Sequence, residues 1–312
     1  MLDIIDMDPL SDVLSLLDAR SVISARLVAG GNWCIQSPRY EGVRFGVVAT
    51  GSCDLSLHGG HGPTRLEAGD SYLLTGGLSY RIGSDVGLQA VEMDDVLAKI
   101  ANGVAYCGDG ADTVLLGGRF EMDAANSAFL LDELPPLIHI AAGSKASEIQ
   151  RWILERLADE LVEQHPGTSA MIDQLAHIMV VHILRQYLAS GALPRGWLAA
   201  TADPKIGKVL ARIHGAPLQT WNLDALADIA GMSRSAFSAR FSRLVGTSPL
   251  DYVLRWKMRL AARSLRQTVA PISTIAYAHG YESEAAFSNA FKRVVGRAPR
   301  DFRRSAASNS SA

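Results

Sequence analysis

The 312-residue sequence lacks the features that mark secreted, membrane-spanning or disulfide-stabilised proteins. It contains three cysteines, which favours a reducing compartment over a disulfide framework. No apolar run reaches the ~18 residues that a membrane-spanning helix needs. The first residues, MLDIIDMDPLSDVL, are acidic and have none of the basic character that opens a secretory signal. These absences predict a cytoplasmic protein.

Signatures of enzymes are absent as well. The sequence has no nucleophile elbow, no Walker loop and no dinucleotide-binding fingerprint. A content of 48% hydrophobic and 20% charged residues is ordinary for globular proteins and supplies ample material for a core. The length of 312 residues favours two domains.

The formal net charge of −2 conceals an uneven distribution of charge along the chain. From Thr201 onward there are 17 Lys and Arg residues against 7 Asp and Glu, whereas the first 200 residues have 13 against 25. Neutralisation of DNA phosphates requires a basic domain. The C-terminal third is therefore predicted to bind nucleic acid.

The same region contains a repeat with a period of fifty residues. SRSAFSARFSRLVGTSPLDY, which begins at Ser233, is followed by SEAAFSNAFKRVVGRAPRDF. Phe237 and Phe241 are spaced for one face of a helix that Ser233 can cap, and the preceding LDALADIAGM predicts a short helix that Gly231 can end. A short helix, a turn and a capped helix form a helix-turn-helix unit. The second copy, with Gly280 in its turn, has a turn one residue longer.

The two units are joined by LDYVLRWKMRLAARSLR, which has no Gly or Pro and predicts one long helix. With the endings GTSPLDYVLRWKM and GRAPRDFRR, they resemble the AraC-type transcription regulators over about residues 204–304. The resemblance implies that two recognition helices enter successive major grooves of promoter DNA, about one helical turn (~34 Å) apart.

The resemblance also implies which side chains meet the DNA. Base contacts fall on six residues of the two recognition helices: Ser235, Ser238, Ala239, Glu284, Ala285 and Asn289. Asn289 could bond an adenine edge, and Glu284 could accept a hydrogen bond from cytosine. Residues expected to hold phosphates are Arg234, Arg240, Arg243, Ser288, Lys292 and Arg293. Any one of these arginines could instead be a solvated surface charge.

The N-terminal part has a different character, with short β-rich runs separated by turn residues: VISARLV, RFGVVATG, CDLSL, DSYLLTGG and LSYRIG. Such runs predict a small sandwich or barrel, with a hairpin turn at Gly59–Gly60. The segments DPLSDVLSLLDARSVISARLVAGGNW, LEAGDSYLLTGG and LLDELPPLIHI resemble the cupin-type sensor domain of one AraC subgroup over about residues 8–140.

The predicted fold class is thus α+β, with an N-terminal β-sandwich or cupin-like barrel, then helices, then an all-α double helix-turn-helix domain. The expected boundaries are 1–140 for the sensor domain, 141–200 for a helical linker with dimerisation helices, 201–304 for the DNA-binding domain and 305–312 for a disordered tail. LASGALPRGWLAATADP, residues 188–204, has Gly and Pro residues and is interpreted as the linker to the DNA-binding domain.

Two strongly apolar helices are expected within residues 141–200. The first has a stripe that includes Ile149 and Trp152, and the second is apolar well beyond one face, from Ile172 to Tyr187. A helix that is apolar on most sides needs partners on most sides. Burial between the two domains would satisfy this, and so would a homodimer interface, which the resemblance supports. RNA polymerase is a further expected partner if the protein activates transcription.

The sensor domain departs from its relatives at the metal site. Gly46 stands where this subgroup often has a histidine, and only His58 and His61 remain as an H-x-x-H pair beside a turn. Two histidines do not complete a zinc or iron site. We therefore expect neither a metal nor a cofactor. The alternatives are a cupin-type metal enzyme with a DNA-binding appendage, and a constitutive DNA binder that has lost its effector.

The inward positions of the predicted strands suggest an apolar effector pocket. Its expected lining is Phe45, Val47, Tyr72, Leu74 and Tyr80, with Arg44 or Arg81 at the rim. Because successive strand residues alternate in direction, about half of these residues should point inward. Such a lining suits a small apolar or aromatic molecule with one acidic group. A collapsed core without a ligand is the alternative.

The three cysteines differ in their surroundings. Cys107 lies in a Gly-rich stretch that predicts exposure, which makes it a possible redox site. Asp109 and Asp112 nearby would raise the pKa of its thiol and favour an inert residue. Cys34 and Cys53 lie in apolar strands and are expected to be buried packing residues.

Overall fold

A computed structural model describes residues 8–16, 20–60, 62–101, 103–121, 124–143, 146–163, 165–193 and 195–309. The chain divides into two compact units. The first, here called the β-rich unit, spans Ala19–Ala192, and the second, the helical unit, combines Met1–Asp18 with Leu193–Ala312. The α+β fold class expected from the sequence is confirmed.

The β-rich unit contains eleven strands among the residues that are described. In chain order they are β1 (Arg20–Gly30), β2 (Cys34–Ser37), β3 (Val43–Thr50), β4 (Ser52–Leu57), β5 (Thr64–Glu67), β6 (Ser71–Leu74), β7 (Tyr80–Gly83), β8 (Val91–Glu92), β9 (Val104–Gly108), β10 (Thr113–Glu121) and β11 (Leu137–Ile140).

These strands form two sheets. One has six strands in the order β11-β6-β3-β10-β1-β9, and the other has five in the order β5-β4-β7-β2-β8. The pairs are antiparallel except β1 with β9 and β2 with β8. The turn between β4 and β5 is confirmed: Gly59 has a φ of +77°, which favours glycine, and the Gly60 N–H donates to the Leu57 carbonyl at 3.1 Å.

A continuous apolar core fills the β-rich unit. Its members come from both sheets and include Trp33, Ile35, Leu55, Ile82 and Leu115. Along β4, buried Cys53 and Leu55 alternate with half-buried residues, as a strand with one face on the core requires. The two sheets thus enclose a common interior, as expected for a sandwich or barrel.

Four helices complete the β-rich unit: α2 (Met93–Leu97), α3 (Ala124–Leu131), α4 (Ala146–Glu163) and α5 (Thr168–Ala189). Helix α5 packs against α4 and against β1, β6 and β11 of the six-stranded sheet. Leu175, Met179 and Ile183 of α5 are buried there, and His177 lies edge-on to Phe120 with ring centroids 5.0 Å apart. The wide apolar surface of α5 is therefore covered largely within its own unit.

The helical unit contains nine helices in its described parts. They are α1 (Pro9–Leu16), α6 (Trp197–Ala200), α7 (Ile206–Gly215), α8 (Leu223–Ile229), α9 (Arg234–Val245), α10 (Pro249–Gln267), α11 (Ile272–Ala278), α12 (Glu284–Val295) and α13 (Pro299–Asn309).

A buried histidine ties α1 to the rest of the helical unit. The His214 ring stacks on Trp256 with centroids 3.9 Å apart, and its Nε2 lies 2.7 Å from the Tyr252 hydroxyl. The Asp12 carboxylate approaches His214 Nδ1 to 3.5 Å. Burial lowers the pKa of His214 against the opposing effect of Asp12, so the ring is neutral at pH 7. The N-terminal helix is thus part of the core around α7 and α10.

The structure places several boundaries differently from the sequence prediction. Helices α4 and α5 belong to the β-rich unit rather than to a linker, and α1 belongs to the helical unit rather than to the sensor domain. Trp197 lies in the predicted linker to the DNA-binding domain, yet it is buried and opens α6. Residues 305–309 continue α13 where a disordered tail is predicted, and 310–312 lie outside the described residues. In the first three cases apolar burial outweighs the local turn signals.

Candidate nucleic-acid interface and sensor cavity

The first helix-turn-helix unit consists of α8 and α9. The Asn222 side chain caps α8 by accepting from the Ala225 N–H at 2.8 Å, and Gly231 in the turn has a φ of +59°. Ser233 caps α9 by accepting from the Ala236 N–H at 3.4 Å. Phe237 is fully buried, which fixes the rotation of α9 about its axis. The opposite face of this recognition helix is therefore presented outward.

The second unit, α11 and α12, repeats this construction. Ser283 caps α12 by accepting from the Ala286 N–H at 3.2 Å, and Phe287 and Phe291 are fully buried. Five residues separate α11 from α12, against four between α8 and α9, so the longer second turn is confirmed. Gly280 in this turn has a φ of +80°. Long helix α10 joins the two units, as expected from its composition.

The residues predicted to contact bases lie on the outward faces of α9 and α12. Ser235, Ala239, Ala285 and Asn289 are exposed, and Ser238 and Glu284 are half-buried. Glu284 forms an ion pair with Arg300 of α13, at 3.5 Å. The remaining side chains of this set have no charged partner among the described residues. Asn289 is the one whose amide can make two hydrogen bonds to one base edge.

The residues predicted to hold phosphates fall into two groups. Arg243, Lys292 and Arg293 are exposed and have no ion pair within the described part of the chain. Arg234 pairs with Asp224 of α8, and Arg240 pairs with Asp203 at 2.5 Å. Ser288, half-buried, lies one residue after Phe287 on α12. The first group is free for phosphates, whereas the paired arginines have a structural partner.

The Arg240–Asp203 pair changes the pKa of the Asp203 carboxyl. Burial raises the pKa of Asp203, but hydrogen bonds from Arg240 and from the N–H groups of Ile206 and Lys205 outweigh it, so the pKa is lowered. Asp203 is therefore ionised at neutral pH and holds Arg240 against the start of α7. Arg240 differs in this respect from a freely available phosphate ligand.

A basic cluster that the sequence prediction did not assign lies beside α12. Arg300, Arg303 and Arg304 of α13 line a cleft of about 470 Å³ together with Glu284. Arg303 is held in place by donating to the Ala270 carbonyl at 2.7 Å. The segment RAPRDFRR contained the signal, but its arginines could be placed beside α12 only when the packing of α13 was known.

The β-rich unit encloses a cavity of about 120 Å³ between its sheets and α2. Of the predicted lining, Phe45, Tyr72 and Tyr80 line it, whereas Val47 and Leu74 are fully buried and do not belong to its described wall. The remaining wall residues are Leu27, Ile35, Arg44, Ile82, Met93, Asp94, Val96, Leu97, Ala105, Leu115, Gly117, Gly118 and Arg119.

The two arginines predicted at the rim behave differently. Arg44 lines the cavity, and its Nη1 lies 3.4 Å from the Tyr80 hydroxyl. Arg81 instead donates to the Gln36 side chain at 2.9 Å and to the Val86 carbonyl at 3.1 Å. Of these two arginines, Arg44 is therefore the one that a bound molecule in this cavity would meet.

Gly46 leaves the space that the Tyr72 side chain fills. A Cβ atom built at Gly46 would lie 2.3 Å from the Tyr72 hydroxyl oxygen, which no real pair of atoms tolerates. His58 is exposed, and His61 lies outside the described residues. No group of three or more His, Cys, Asp or Glu side chains that could hold a metal ion is found in the described part of the chain.

Cys107, predicted to be exposed, is buried on β9. Its side chain belongs to the apolar core, and burial raises the pKa of the thiol, with Cys34 nearby adding to the effect. The glycines around it serve tight backbone approaches, since Gly108 has a φ of +74° and its Cβ would lie 2.3 Å from the Gly30 carbonyl. Cys34 and Cys53 are buried as expected, and burial raises the pKa of Cys53 to about 12.

None of the described helices is both long and apolar enough to cross a membrane.

Comparison with known proteins gives two family matches, one in each part of the chain. A family described as Cupin matches residues 8–189, and one described as Helix-turn-helix domain matches residues 226–305. An AraC-like transcription regulator from Streptomyces lividans is 41% identical over 299 residues, which cover 96% of this chain and 98% of that protein. The HTH-type transcriptional regulator AlkR from Acinetobacter baylyi is 28% identical over 95% of this chain and 99% of that protein.

Among solved structures, the DNA-binding domain of AdpA in complex with a target DNA matches 34% of this chain and 95% of that chain. It has 26% sequence identity and a TM-score of 0.32.

Proposed function

The chain belongs to the AraC-type transcription regulators, and on that premise we propose that it is a dimeric, effector-responsive regulator that reads promoter DNA with both helix-turn-helix units. It is a DNA-binding transcription regulator, as its relatives are. Its role is regulatory rather than enzymatic, and it acts in the cytoplasm, where promoter DNA lies. Where it activates transcription, RNA polymerase is a further partner.

The observation that carries this proposal is the matched construction of α9 and α12. Each helix is capped by a serine, anchored by a buried phenylalanine pair and exposed on the opposite face. The two recognition helices then enter successive major grooves about one turn (~34 Å) apart. Arg243, Lys292 and Arg293 hold the flanking phosphates, and Asn289 contributes the strongest base contact.

Footprinting with hydroxyl radicals on DNA selected by the full-length protein tests this arrangement. We expect two protected segments on one face of the duplex, separated by about one helical turn. Substitution of Asn289 should remove base preference at one segment only. A single protected segment, or one that is unaffected by substitutions in α9, would contradict reading by both units.

Dimerisation is supported by exposed apolar side chains on the α4–α5 hairpin. Ile149 and Trp152 lie one turn apart on α4, and Met171 and Ile178 lie two turns apart on α5, all between 46% and 53% exposed. Large side chains of this type on two neighbouring helices are typical of a surface that a second subunit covers. A second copy of the chain is the partner that we propose.

Sedimentation velocity on the full-length protein tests the dimer. Trp152→Glu and Ile178→Glu should convert a dimer to a monomer, because each places a charge in the proposed interface. Leu218→Glu is the matched control, since Leu218 is 57% exposed but lies in the helical unit. A dimer that persists in both α4–α5 variants would place the interface elsewhere.

The effector site that we propose is the cavity between the two sheets. It is closed by the short helix α2, whose residues Met93, Val96 and Leu97 form part of the wall. A molecule bound there contacts β3, β7, β10 and α2 at once, so binding would change how these elements pack.

A further inference from the structure

We infer that the sensor cavity binds a small monocarboxylate, with the carboxylate on Arg44 and the apolar body against the aliphatic and aromatic wall. The inference rests on the proposed role of the cavity as an effector site and adds the chemical class of the effector. Four observations carry it: the size of the cavity, the unpaired Nε of Arg44, the carboxylate of Asp94 in the wall and the position of Tyr72.

The size of the cavity limits the ligand to a small molecule. Its volume of about 120 Å³ compares with the ~150 Å³ of an engineered apolar cavity that admits benzene. Leu27, Ile35, Ile82 and Leu115 from the strands give the wall an aliphatic character. A body of about the size of benzene or a short branched chain therefore fits without movement of the sheets.

Arg44 supplies the polar end of the site. Its guanidinium carbon lies 4.9 Å from the ring centroid of Tyr40 and 5.8 Å from that of Tyr80, so two aromatic faces hold it in place. Its Nε is buried and has no hydrogen-bond partner among the described residues. The bond from Nη1 to Tyr80 is long, at 3.4 Å.

Unpaired buried donors of this kind call for an acceptor. A buried N–H group without a partner costs free energy that a hydrogen bond would recover. The guanidinium presents parallel N–H groups whose spacing matches the two oxygens of a carboxylate. A carboxylate on the ligand would satisfy Arg44 and would give its charge a buried counter-ion.

The wall favours a ligand with one negative charge rather than two. Its acidic residue is Asp94 of α2. A second carboxylate on the ligand would lie against Asp94 or the apolar wall, at a large desolvation cost.

Tyr72 defines the floor of the cavity beside Arg44. Its ring occupies the space that the missing side chain of Gly46 leaves, and burial raises the pKa of its hydroxyl well above the usual value. The hydroxyl therefore stays protonated and can donate a hydrogen bond. Any side chain at position 46 must displace this ring, which gives a way to alter the cavity without touching its charge.

Calorimetric titration and thermal shift of the full-length protein test the inference with six compounds. Butyrate, 3-methylbutyrate and benzoate are compared with butyramide, 3-methylbutanamide and benzamide, which have the same shape without the charge. We expect at least one acid to bind at least tenfold more tightly than its own amide. Arg44→Met should weaken that acid at least tenfold and leave the amide unchanged, because it removes the charge and keeps an unbranched side chain.

Arg39→Met is the matched control, since Arg39 is exposed and does not line the cavity. Its acid affinity should equal that of the wild type. If Arg44→Met fails to fold, Arg44→Lys keeps the charge without the forked donors and should give intermediate acid affinity. Gly46→Ala should weaken acids and amides alike, because it moves Tyr72 whatever the charge of the ligand.

The outcomes separate the two proposals. Equal binding of an acid and its amide, both lost in Gly46→Ala, would leave the effector site standing and overturn the carboxylate. Acid binding that survives in Arg44→Met would overturn the assignment to Arg44. No binding of any of the six compounds to a protein that still binds DNA would overturn both the carboxylate and the proposed effector role.

Discussion

The two helix-turn-helix units have the same framework and different outer surfaces. Both recognition helices begin after a serine cap and end at a glycine with a φ near +80°. The first residue of α9 is Arg234, which pairs with Asp224, whereas the first residue of α12, fifty positions later, is Glu284, which pairs with Arg300. The first residue of the recognition helix is thus positive in the first copy and negative in the second. Its counter-ion comes from α8 in the first copy and from α13 in the second.

The outward positions differ further along the helices. Asn289 of α12 stands fifty residues after Ala239 of α9, and Lys292 stands fifty after Ser242. The residues that cap and bury each unit are thus repeated, as are Ser238 with Ser288 and Arg243 with Arg293, whereas most of the proposed base-contacting positions carry different residues in the two copies. The second unit carries the side chain best suited to base hydrogen bonds, so sequence preference should depend more on α12 than on α9.

The two units also differ in what supports them. The first packs with α6 and α7 around a buried aromatic group that includes His214 and Trp256, to which α1 contributes Asp12. The second packs around Phe287, Phe291 and the other residues of a core that includes Phe302 of α13. The comparison predicts equal anchoring of the two recognition helices and unequal roles at the DNA.

The largest effect is expected from the two anchoring phenylalanines. Phe237→Ala and Phe287→Ala should each lower the free energy of unfolding by ~3–5 kcal/mol, because both side chains are fully buried and leave a cavity. Chemical denaturation followed by circular dichroism measures the loss. Leu250→Ala, at an exposed position, is the control and should change it by less than ~0.5 kcal/mol.

Two equal losses would confirm that the copies are anchored alike. A loss below ~1 kcal/mol at one phenylalanine would break the equivalence, because a fully packed aromatic ring cannot be removed at so little cost. That result would mean that the recognition helix of that copy is not held against its core in solution.

The second-largest effect concerns base preference, which should depend more on α12 than on α9. Asn289→Ala should lose roughly 1–3 kcal/mol of binding free energy on the preferred site and leave random-sequence DNA nearly unaffected. Ala239→Asn, at the matched position of the first copy, should change the preferred bases at the other half of the site. Competition binding between the two DNAs measures both.

Retention of the wild-type preference by Asn289→Ala would reject the proposed asymmetry. The same would follow if Ser238→Ala in α9 cost more specificity than Asn289→Ala does in α12.

Much of the helical unit could be predicted because its signals are local. The caps at Ser233 and Ser283, the phenylalanine spacing and the long α10 all follow from residues within one or two turns of each other. The longer second turn could likewise be counted from the sequence. Such features depend on backbone chemistry that one sequence window contains.

The remaining features depend on contacts between distant parts of the chain. Arg240 is separated from Asp203 by 37 residues, so its partner could not be read from the recognition helix itself. Cys107 lies among glycines that suggested exposure, yet β9 pairs with β1 and turns the thiol inward. Two of the five predicted lining residues, Val47 and Leu74, do not line the cavity for a related reason, because strand alternation fixes direction only when the register is known.

The third-largest effect concerns the contacts to DNA phosphates, and the loss of affinity should be similar for the two copies. Arg243 and Arg293 occupy matched positions and form no ion pair among the described residues. Substitution of either one by alanine should weaken specific and random DNA binding about equally. It should also reduce the slope of log affinity against log salt by about one. Arg240→Ala should change the slope less, because Asp203 holds its side chain.

Titrations in which only salt is varied measure these slopes. A slope reduced by Arg240→Ala as much as by Arg243→Ala would show that the pair with Asp203 opens on DNA. A slope unchanged by Arg293→Ala would remove α12 from the phosphate contacts and sharpen its role in base reading.

The smallest effect is expected from the two exposed ion pairs at the starts of the recognition helices, Arg234–Asp224 and Arg300–Glu284. The Arg234 and Asp224 side chains are 65% and 49% exposed, and those of Arg300 and Glu284 are 80% and 39% exposed. Double-mutant cycles with alanine should give coupling energies of ~0.2–1 kcal/mol in each copy, and these should decrease with added salt. The pairs therefore contribute little to stability, and their effect should appear at the DNA.

Removal of the acidic partner should release an arginine in both copies, with different consequences. Asp224→Ala frees Arg234 for a phosphate, so random-sequence binding should tighten while base preference stays unchanged. Glu284→Ala frees Arg300 but also removes a proposed base contact, so random-sequence binding should tighten while base preference weakens. Glu282→Ala is the baseline, because it removes an exposed acid that has no ion pair within the described residues. If Asp224→Ala tightens binding no more than Glu282→Ala does, Arg234 does not reach a phosphate, and Arg240 and Arg243 remain as the predicted phosphate ligands of the first unit.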